Sequence, residues 1–470
     1  MLVKFSVSNF LSFNKKETFG MESGRATKKL EHLLEDGDAG KSLLHFSAMY
    51  GKNGAGKSNF VRSISVLKNF VVAGTLPQRA GELWCRIDDG NQSMPTEFEI
   101  DFIASGKLYE FNLSIILATG IITKEELVRI NGNRRTKLYY KNTESGGYNF
   151  HGSIRGQRKD IEVLSRTFAM SGNCFLFCIN HNTQGFYATN PQAQPLRDAF
   201  QWFKDTLEVI FPDQPLQETS LLQYEVSKSD FEKLLKEFDT GIEEIRLDPV
   251  SKEKVFENLD FRLQQRINLE MALVPSIANN IAALKNQLWL TPPTQDPGRI
   301  YSHVIRSRRD IFIINLEKDR AFRFYALKFV HNIGGKKIEF SMISESDGTH
   351  RLFQLLEILV CKKEKVFIMD EMTRSLHPKL AVQFVKKFFE RANDRRIQLV
   401  TTTHETRIMS HDIVRRDEIW ICDTNGDEST RLFSLEDEQV RIYKVMDENY
   451  MKNVWGGVPV FEGEEGANQN

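Results

Sequence analysis

The chain has no surplus of either charge: Lys plus Arg number 63 and Asp plus Glu number 63, so its formal net charge is zero. That balance argues against a wholesale polyanion binder, while leaving room for a local basic face. Cysteine is sparse. The five residues Cys85, Cys174, Cys178, Cys361 and Cys422 are odd in number and scattered. Cys174 and Cys178 enclose Phe175, Leu176 and Phe177, and no second Cys or His pair stands at zinc-site spacing. They are read as buried free thiols, which suit a reducing cytosol. No window approaches the ~18 uninterrupted apolar residues of a membrane span. The start, Met1-Leu2-Val3-Lys4-Phe5, has no signal-peptide architecture. A cytoplasmic location without membrane contact is expected. Internal repeats and long heptad runs are also missing, so extended coiled-coil arms are not expected.

What is present is sharper. Gly51-Lys52-Asn53-Gly54-Ala55-Gly56-Lys57-Ser58 fits the phosphate-loop pattern at every constrained position. Glycines let successive backbone N–H groups turn inward around a phosphate chain, Lys57 supplies a charge, and the Ser58 hydroxyl can ligand Mg²⁺. An apolar stretch (Leu43, Leu44, Phe46, Ala48, Met49) precedes the loop. Phe60, Ile64, Leu67 and Val71 follow at helical spacing, pointing a helix N-terminus at the same anion. The pattern implies a bound ATP with Mg²⁺.

Around it, Leu2-Val3-Lys4-Phe5-Ser6-Val7-Ser8-Asn9-Phe10 partly alternates and predicts a strand, and residues 20–40 read as loop. Phe98, Ile100 and Phe102 alternate with acids, turn at Ser105-Gly106, and continue through Tyr109, Phe111, Leu113 and Ile115, which predicts a hairpin. Residues 125–141 predict a second, turning at Asn131-Gly132. From about 160 to 300 the pattern becomes mainly helical. Leu196, Phe200, Phe203, Leu207 and Ile210 step by four and three, and Ser229-Asp230-Phe231-Glu232 reads as a capping box. Residues 291–298 (Thr-Pro-Pro-Thr-Gln-Asp-Pro-Gly) close this stretch. Strands resume at 311–315 and 322–330, with a turn at Gly334-Gly335 and a strand to Phe340. The polar tail from Glu462 is expected to fray. The expected organisation is 1–160, a helical insertion at 161–300, and 301–470.

Val366-Phe367-Ile368-Met369-Asp370-Glu371 is an apolar run ending in two carboxylates, the look of a strand buried on both faces of a parallel sheet. Beside a phosphate loop, Asp370 would hold Mg²⁺ and Glu371 would polarise the attacking water. Ser344-Glu345-Ser346-Asp347-Gly348-Thr349 precedes a helix whose N-terminus makes an anion site suited to a γ-phosphate from another subunit. Ser375-Leu376-His377-Pro378 follows the acidic pair. Gln398-Leu399-Val400-Thr401-Thr402-Thr403-His404 is a strand ending in a histidine that can contact a γ-phosphate.

This order of pieces resembles an ABC-type ATPase head, the class containing the SMC and Rad50 proteins and the overcoming-lysogenization-defect enzymes. More closely, the opening Phe5-Ser6-Val7-Ser8-Asn9-Phe10-Leu11-Ser12-Phe13 resembles the AAA15 (AbiL-like) ATPases of bacterial anti-phage systems. So do Glu345-Ser346-Asp347-Gly348-Thr349-His350-Arg351-Leu352, Ser375-Leu376-His377-Pro378 and the end segment from Asn449-Tyr450-Met451 through Gly456-Gly457-Val458-Pro459. The ATPase subunit of the PARIS defence system belongs to the same broad group. The resemblance implies an α/β fold: an ABC-ATPase head with a mixed sheet around the phosphate loop, an antiparallel β layer and a helical insertion. It further implies a dimer or higher oligomer with composite sites, Lys57 and Glu371 of one protomer facing Ser346 and Gly348 of its partner. The signature here is Ser-Asp-Gly-Thr without the common Ser-Gly-Gly core, which implies a weaker contact in trans and slow turnover. Gln92 and Gln157 are the candidates for the Q-loop glutamine.

The role expected from this resemblance is the sensor or scaffold subunit of an anti-phage system, ATP holding an oligomer that restrains a separately encoded nuclease or toprim-type effector until a phage trigger disturbs it. No toprim-type acidic cluster follows residue 380; Asp412, Asp417, Glu418 and Asp423 lie among Arg415, Arg416 and Trp420 and read as a solvated face. The alternative is an SMC- or Rad50-like ATPase of DNA repair or recombination. For nucleic acid it offers one compact basic cluster, Arg299, His303, Arg306, Arg308 and Arg309 with Tyr301 nearby. A transporter head or a metabolic kinase fits poorly.

Overall fold

The computed structural model describes residues 1–26, 28–36, 39–141, 147–151, 154, 161, 172–181, 186–212, 224–277, 299–306, 310–317, 319–437 and 446–459. Outside them fall Gln157, Arg308, Arg309, residues 291–298 and the tail from Glu462; the side chains of Arg299, Tyr301, His303 and Arg306 are likewise not described. The chain forms two compact units. One comprises Met1–Pro212, Lys363–Thr373 and Val385–Asn470, the other Asp213–Lys362 and Arg374–Phe384.

The first unit is α/β. Its central sheet runs in the order Leu207–Ile210, Lys365–Met369, Ile397–Thr402, Phe46–Tyr50, Ile419–Thr424, Thr430–Ser434. All neighbours are parallel except the last pair, so the sheet is mixed. The strands Phe46–Tyr50 and Lys365–Met369 are buried along their whole length, as continuous apolar runs in a parallel sheet must be. Beside this sheet lies a seven-stranded antiparallel one, ordered Tyr148–Phe150, Arg134–Lys141, Ile121–Asn131, Lys107–Ile116, Thr96–Ala104, Leu2–Ser8, Glu17–Gly20. Both expected hairpins are in it. Ser105 and Gly106 turn the first with positive φ of 50° and 70°. The helix Lys57–Ala73 buries Phe60, Ile64, Leu67 and Val71. Phe60 meets Phe5 and Phe19 at ring separations of 5.6 and 5.2 Å. Each such side chain contributes roughly 1.5–3 kcal/mol of burial. The α/β class, the mixed sheet around the phosphate loop and the antiparallel layer are as expected.

In this unit the residues differ from expectation in three places. Within 20–40, read as loop, the strand Leu33–Asp36 pairs with Lys41–Leu44. The helical stepping from Leu196 to Ile210 ends early: the helix Gln194–Gln201 passes through a π turn at Trp202–Thr206 into the strand Leu207–Ile210. Leu207-Glu208-Val209-Ile210 pairs in parallel with Val366–Met369, and the Lys68 ammonium donates to the Leu207 carbonyl at 2.6 Å. Edge pairing overrides helical spacing there. The acidic run at 412–423 is a solvated face only in part: Asp412 is exposed, but Arg415, Asp417 and Glu418 are buried. The Arg415 guanidinium donates to both Asp417 oxygens at 2.8 and 2.6 Å, and Glu418 accepts the Arg415 N–H at 2.7 Å. A planar fork that satisfies a carboxylate bidentately lets such charges be buried.

The second unit is built on a five-stranded antiparallel sheet, Ile242–Val250, Phe322–Ile333, Ile311–Glu317, Arg299–Arg306, with Lys336–Ser341 also paired to Phe322–Ile333. Its strands Ile242–Val250 and Arg299–Arg306 fall in or at the edge of the stretch read as mainly helical. The helices Tyr224–Glu237 and Asp347–Val360 meet through Phe231 and Phe353, ring centroids 4.9 Å apart. Ser229 is not a cap, since its helix already runs from Tyr224. Glu232 instead accepts the Ile245 N–H at 2.9 Å, tying the helix to the sheet.

Candidate functional site

The phosphate loop leaves the end of the buried strand Phe46–Tyr50 and enters the helix at Lys57. Two glycines are required by contact. A Cβ on Gly51 would stand 2.2 Å from the Cys422 carbonyl oxygen, and Gly56, at φ 110°, would put one 2.1 Å from Thr430 Oγ1. Gly54, at φ 83°, has open space at that position. So the loop is pinned from behind and open in front. The Ala55 carbonyl is turned to the back, accepting from the Cys422 thiol at 3.1 Å and the Thr430 hydroxyl at 2.8 Å. Thr430 Oγ1 also lies 2.7 Å from Ser12 Oγ, which accepts from Asn59 at 2.9 Å. Burial raises the Cys422 thiol to about 12, against the pull of Lys57, so it is a neutral donor.

Lys57 is buried, and its ammonium donates to the Gly51 and Lys52 carbonyls at 2.7 and 3.0 Å. Burial lowers its pKa; Cys422, Asp370 and Glu371 oppose the shift. Ser58 donates to Asp370 Oδ1 at 3.2 Å across 312 residues of sequence. The same oxygen accepts from the Thr402 hydroxyl at 2.6 Å, and that hydroxyl accepts the Glu371 N–H at 2.7 Å. Glu371 sits at φ 47°, a left-handed conformation uncommon outside glycine. His404 follows the end of Ile397–Thr402 and is exposed. Its imidazole pKa is lowered, first by desolvation and then by the Lys57 charge, with Asp370 pulling the other way.

Thus Lys57, Ser58, Asp370, Glu371 and His404 gather at the ends of three neighbouring parallel strands. An ATP–Mg²⁺ group fits them on three observations: the open face at Gly54, an ammonium donating to loop carbonyls at the same place, and a hydroxyl–carboxylate pair of hard oxygen donors.

Ser346 and Gly348 belong to the second unit. Ser346 is exposed and caps the helix Asp347–Val360, its Oγ accepting the Thr349 N–H at 3.1 Å. A Cβ on Gly348 would stand 2.8 Å from the Ser375 carbonyl oxygen, so the signature packs against Ser375-Leu376-His377-Pro378. His331 holds Glu345 just before it, at 2.7 Å. Gln92 is exposed on the 3-10 turn Asp89–Gln92.

Ser12, Thr402, Cys422, Thr430 and Tyr450 are the site neighbours that pattern reading misses. Thr402 carries a local signal, ending its strand two residues before His404, and Ser12 and Tyr450 lie in the opening and end segments that carry the family resemblance. All five cysteines are buried thiols. Among the described residues, no helix is long and apolar enough to cross a membrane.

The family model described as "AAA domain, putative AbiEii toxin, Type IV TA system" matches residues 46–160 and 196–410. No curated protein matches the chain. Among solved structures, an SMC head bound to the C-winged helix domain of ScpA is similar at 15% identity, covering 93% of this chain and 99% of that one, with a TM-score of 0.36. The SMC head domain from Thermotoga maritima is similar at 11% identity, covering 94% and 99%, with a TM-score of 0.31.

Proposed function

The chain belongs to the family of AAA domains described as putative AbiEii toxins of type IV toxin–antitoxin systems, and we propose that it binds ATP–Mg²⁺ and hydrolyses the β–γ anhydride as the sensor subunit of an anti-phage system. The observation that carries the ATPase reading is Asp370 Oδ1, which joins Ser58 of the phosphate loop to Thr402 of the histidine strand. The bound ATP–Mg²⁺ would supply the scissile anhydride and the charge that polarises it. Lys57 and the loop N–H groups from Gly51 to Ser58 would hold the phosphates. Ser58 and Asp370 would hold the metal. Glu371 would take the proton of the attacking water, and His404, whose charging burial and Lys57 disfavour, would donate to the γ-phosphate.

In this reading Ser346 and Gly348 serve a second copy of the chain, supported by the exposure of Ser346 at a helix N-terminus. The AAA15 or PARIS-type assignment rests on the sequence resemblance, as do the separately encoded nuclease or toprim-type effector and the phage trigger. Lys57→Ala tests the ATPase reading, since a folded variant should lose ATP binding. Undiminished affinity in that variant would refute it. Co-purification of a nuclease partner that responds to ATP would support the sensor role; a partner set made of recombination proteins would overturn it.

A further inference from the structure

Thr402 lies at the end of Ile397–Thr402, buried, and its hydroxyl meets two groups of the acidic pair at once. The Glu371 N–H can only donate, so the Thr402 oxygen receives it, at 2.7 Å. The hydroxyl proton is then directed to Asp370 Oδ1 at 2.6 Å, a length typical of O–H···O⁻ bonds. The Thr402 carbonyl accepts the Met372 N–H at 3.0 Å, and Thr403 Oγ1 lies 3.0 Å from Thr373 Oγ1. The backbone on either side of Glu371 is therefore fastened to the histidine strand. A left-handed φ of 47° at a residue with a long side chain persists only where its surroundings impose it.

We infer that Thr402 is a positioning residue for hydrolysis: its hydroxyl sets both the Asp370 carboxylate and the direction in which Glu371 leaves the strand, two residues ahead of His404. The inference rests on the ATPase reading above. A hydroxyl shared this way makes the carboxylate that holds metal and the one that takes a proton move together. Losing it misplaces the base more than it weakens nucleotide binding. A misplacement of about 1 Å at a reacting centre can cost roughly 100-fold in rate.

The test compares Thr402→Val and Thr402→Ser in the full chain. Valine keeps the shape and removes the hydroxyl; serine keeps it. The valine variant is expected to lose about 100-fold in kcat with ATP affinity within about threefold of the parent. The serine variant is expected to stay within about fivefold in both. If the valine variant does not fold, Thr402→Cys is read in its place, with a loss of about tenfold or more in kcat expected from its weaker donor. Parent-like kcat in the variant read, or equal losses in kcat and affinity, or serine failing to restore turnover, each overturns the inference. Failure of the underlying reading looks different. There, the parent protein itself would not turn over ATP, or Glu371→Gln would hydrolyse it at the parent rate.

Discussion

Thr430 and Gly56 leave no room between them: Thr430 Oγ1 stands 2.1 Å from where a Cβ on Gly56 would be. The same hydroxyl bonds the Ala55 carbonyl at 2.8 Å, so it holds the loop and polices it. Gly56→Ala is expected to clash at the loop and to strain a φ of 110°. Such backbone strain costs about 1–3 kcal/mol. Denaturant unfolding should show a loss of that size together with weakened ATP binding. Adding Thr430→Ala should recover part of the binding but not the conformational cost. A double variant no better than the single one would mean that the contact with Thr430 is not the limiting one.

Glu371→Gln is expected to keep ATP and lose turnover. Glutamine matches the shape but cannot accept the proton, and a general base contributes about 10²–10⁴ in rate. Asp370 and Ser58 remain to hold metal, so nucleotide affinity should stay within a few-fold. Light scattering of this variant with ATP should show a larger mass than without, if Ser346 of a second copy closes the site. An unchanged mass would remove the composite-site part of the proposal and leave the ATPase part standing.

Local chemistry explains which parts are legible in the residues. Gly51–Ser58, Asp370, Glu371 and His404 are nameable because phosphate and metal chemistry fixes residue types at fixed spacing along the chain. The two hairpins of the antiparallel layer are legible because their alternation and turn glycines are local. The remainder depends on partners far away in sequence. Leu207–Ile210 carries helical spacing and becomes a strand only because Val366–Met369 offers an open edge. Arg415, Asp417 and Glu418 look solvated because the groups that meet them in the fold, the Lys28 carbonyl, the Gly24 N–H and His32, lie at the other end of the chain. Thr402 and Thr430 are ordinary strand threonines until the fold brings Asp370 and Ala55 to them.

The pair His32–Glu418 predicts an acid-side weakness. His32 Nδ1 lies 2.9 Å from Glu418 Oε1 and its ring stacks on Phe389 at 3.4 Å, both residues buried. The distance suits an ion pair, but burial drives His32 down to about 3 and Glu418 up, so the contact is a neutral hydrogen bond. Between pH ~6.5 and ~3 the unfolded histidine binds a proton that the folded one does not. Above pH ~4.5 the folded Glu418 in turn holds a proton that the unfolded carboxylate lacks, which offsets the histidine, so the pair's loss falls mainly between pH ~4.5 and ~3, at up to about 1.4 kcal/mol per pH unit. His32→Gln removes that titration and should flatten the acid limb of a stability–pH curve. An equally steep limb in the variant would assign the loss to other groups.

The segment Met446–Met451 and the glycines after it cover the root of the phosphate loop. The Tyr450 hydroxyl donates to the Gly457 carbonyl at 2.9 Å, burial raises its pKa to about 12 with the Gly51 backbone opposing, and its ring meets Tyr50 at 5.7 Å. A Cβ on Gly457 would approach the Gly51 Cα to 3.4 Å. Tyr450 is thus the link between this segment and the first glycine of the loop. Tyr450→Phe keeps the ring and removes the hydrogen bond to Gly457, worth about 1 kcal/mol net. ATP affinity should fall roughly fivefold if that bond sets the loop's geometry. Global stability should drop by no more than about 2 kcal/mol. Titration with a fluorescent nucleotide, beside a denaturant curve, separates the two effects. A stability loss with unchanged affinity would make the segment a cover over the loop rather than part of its setting.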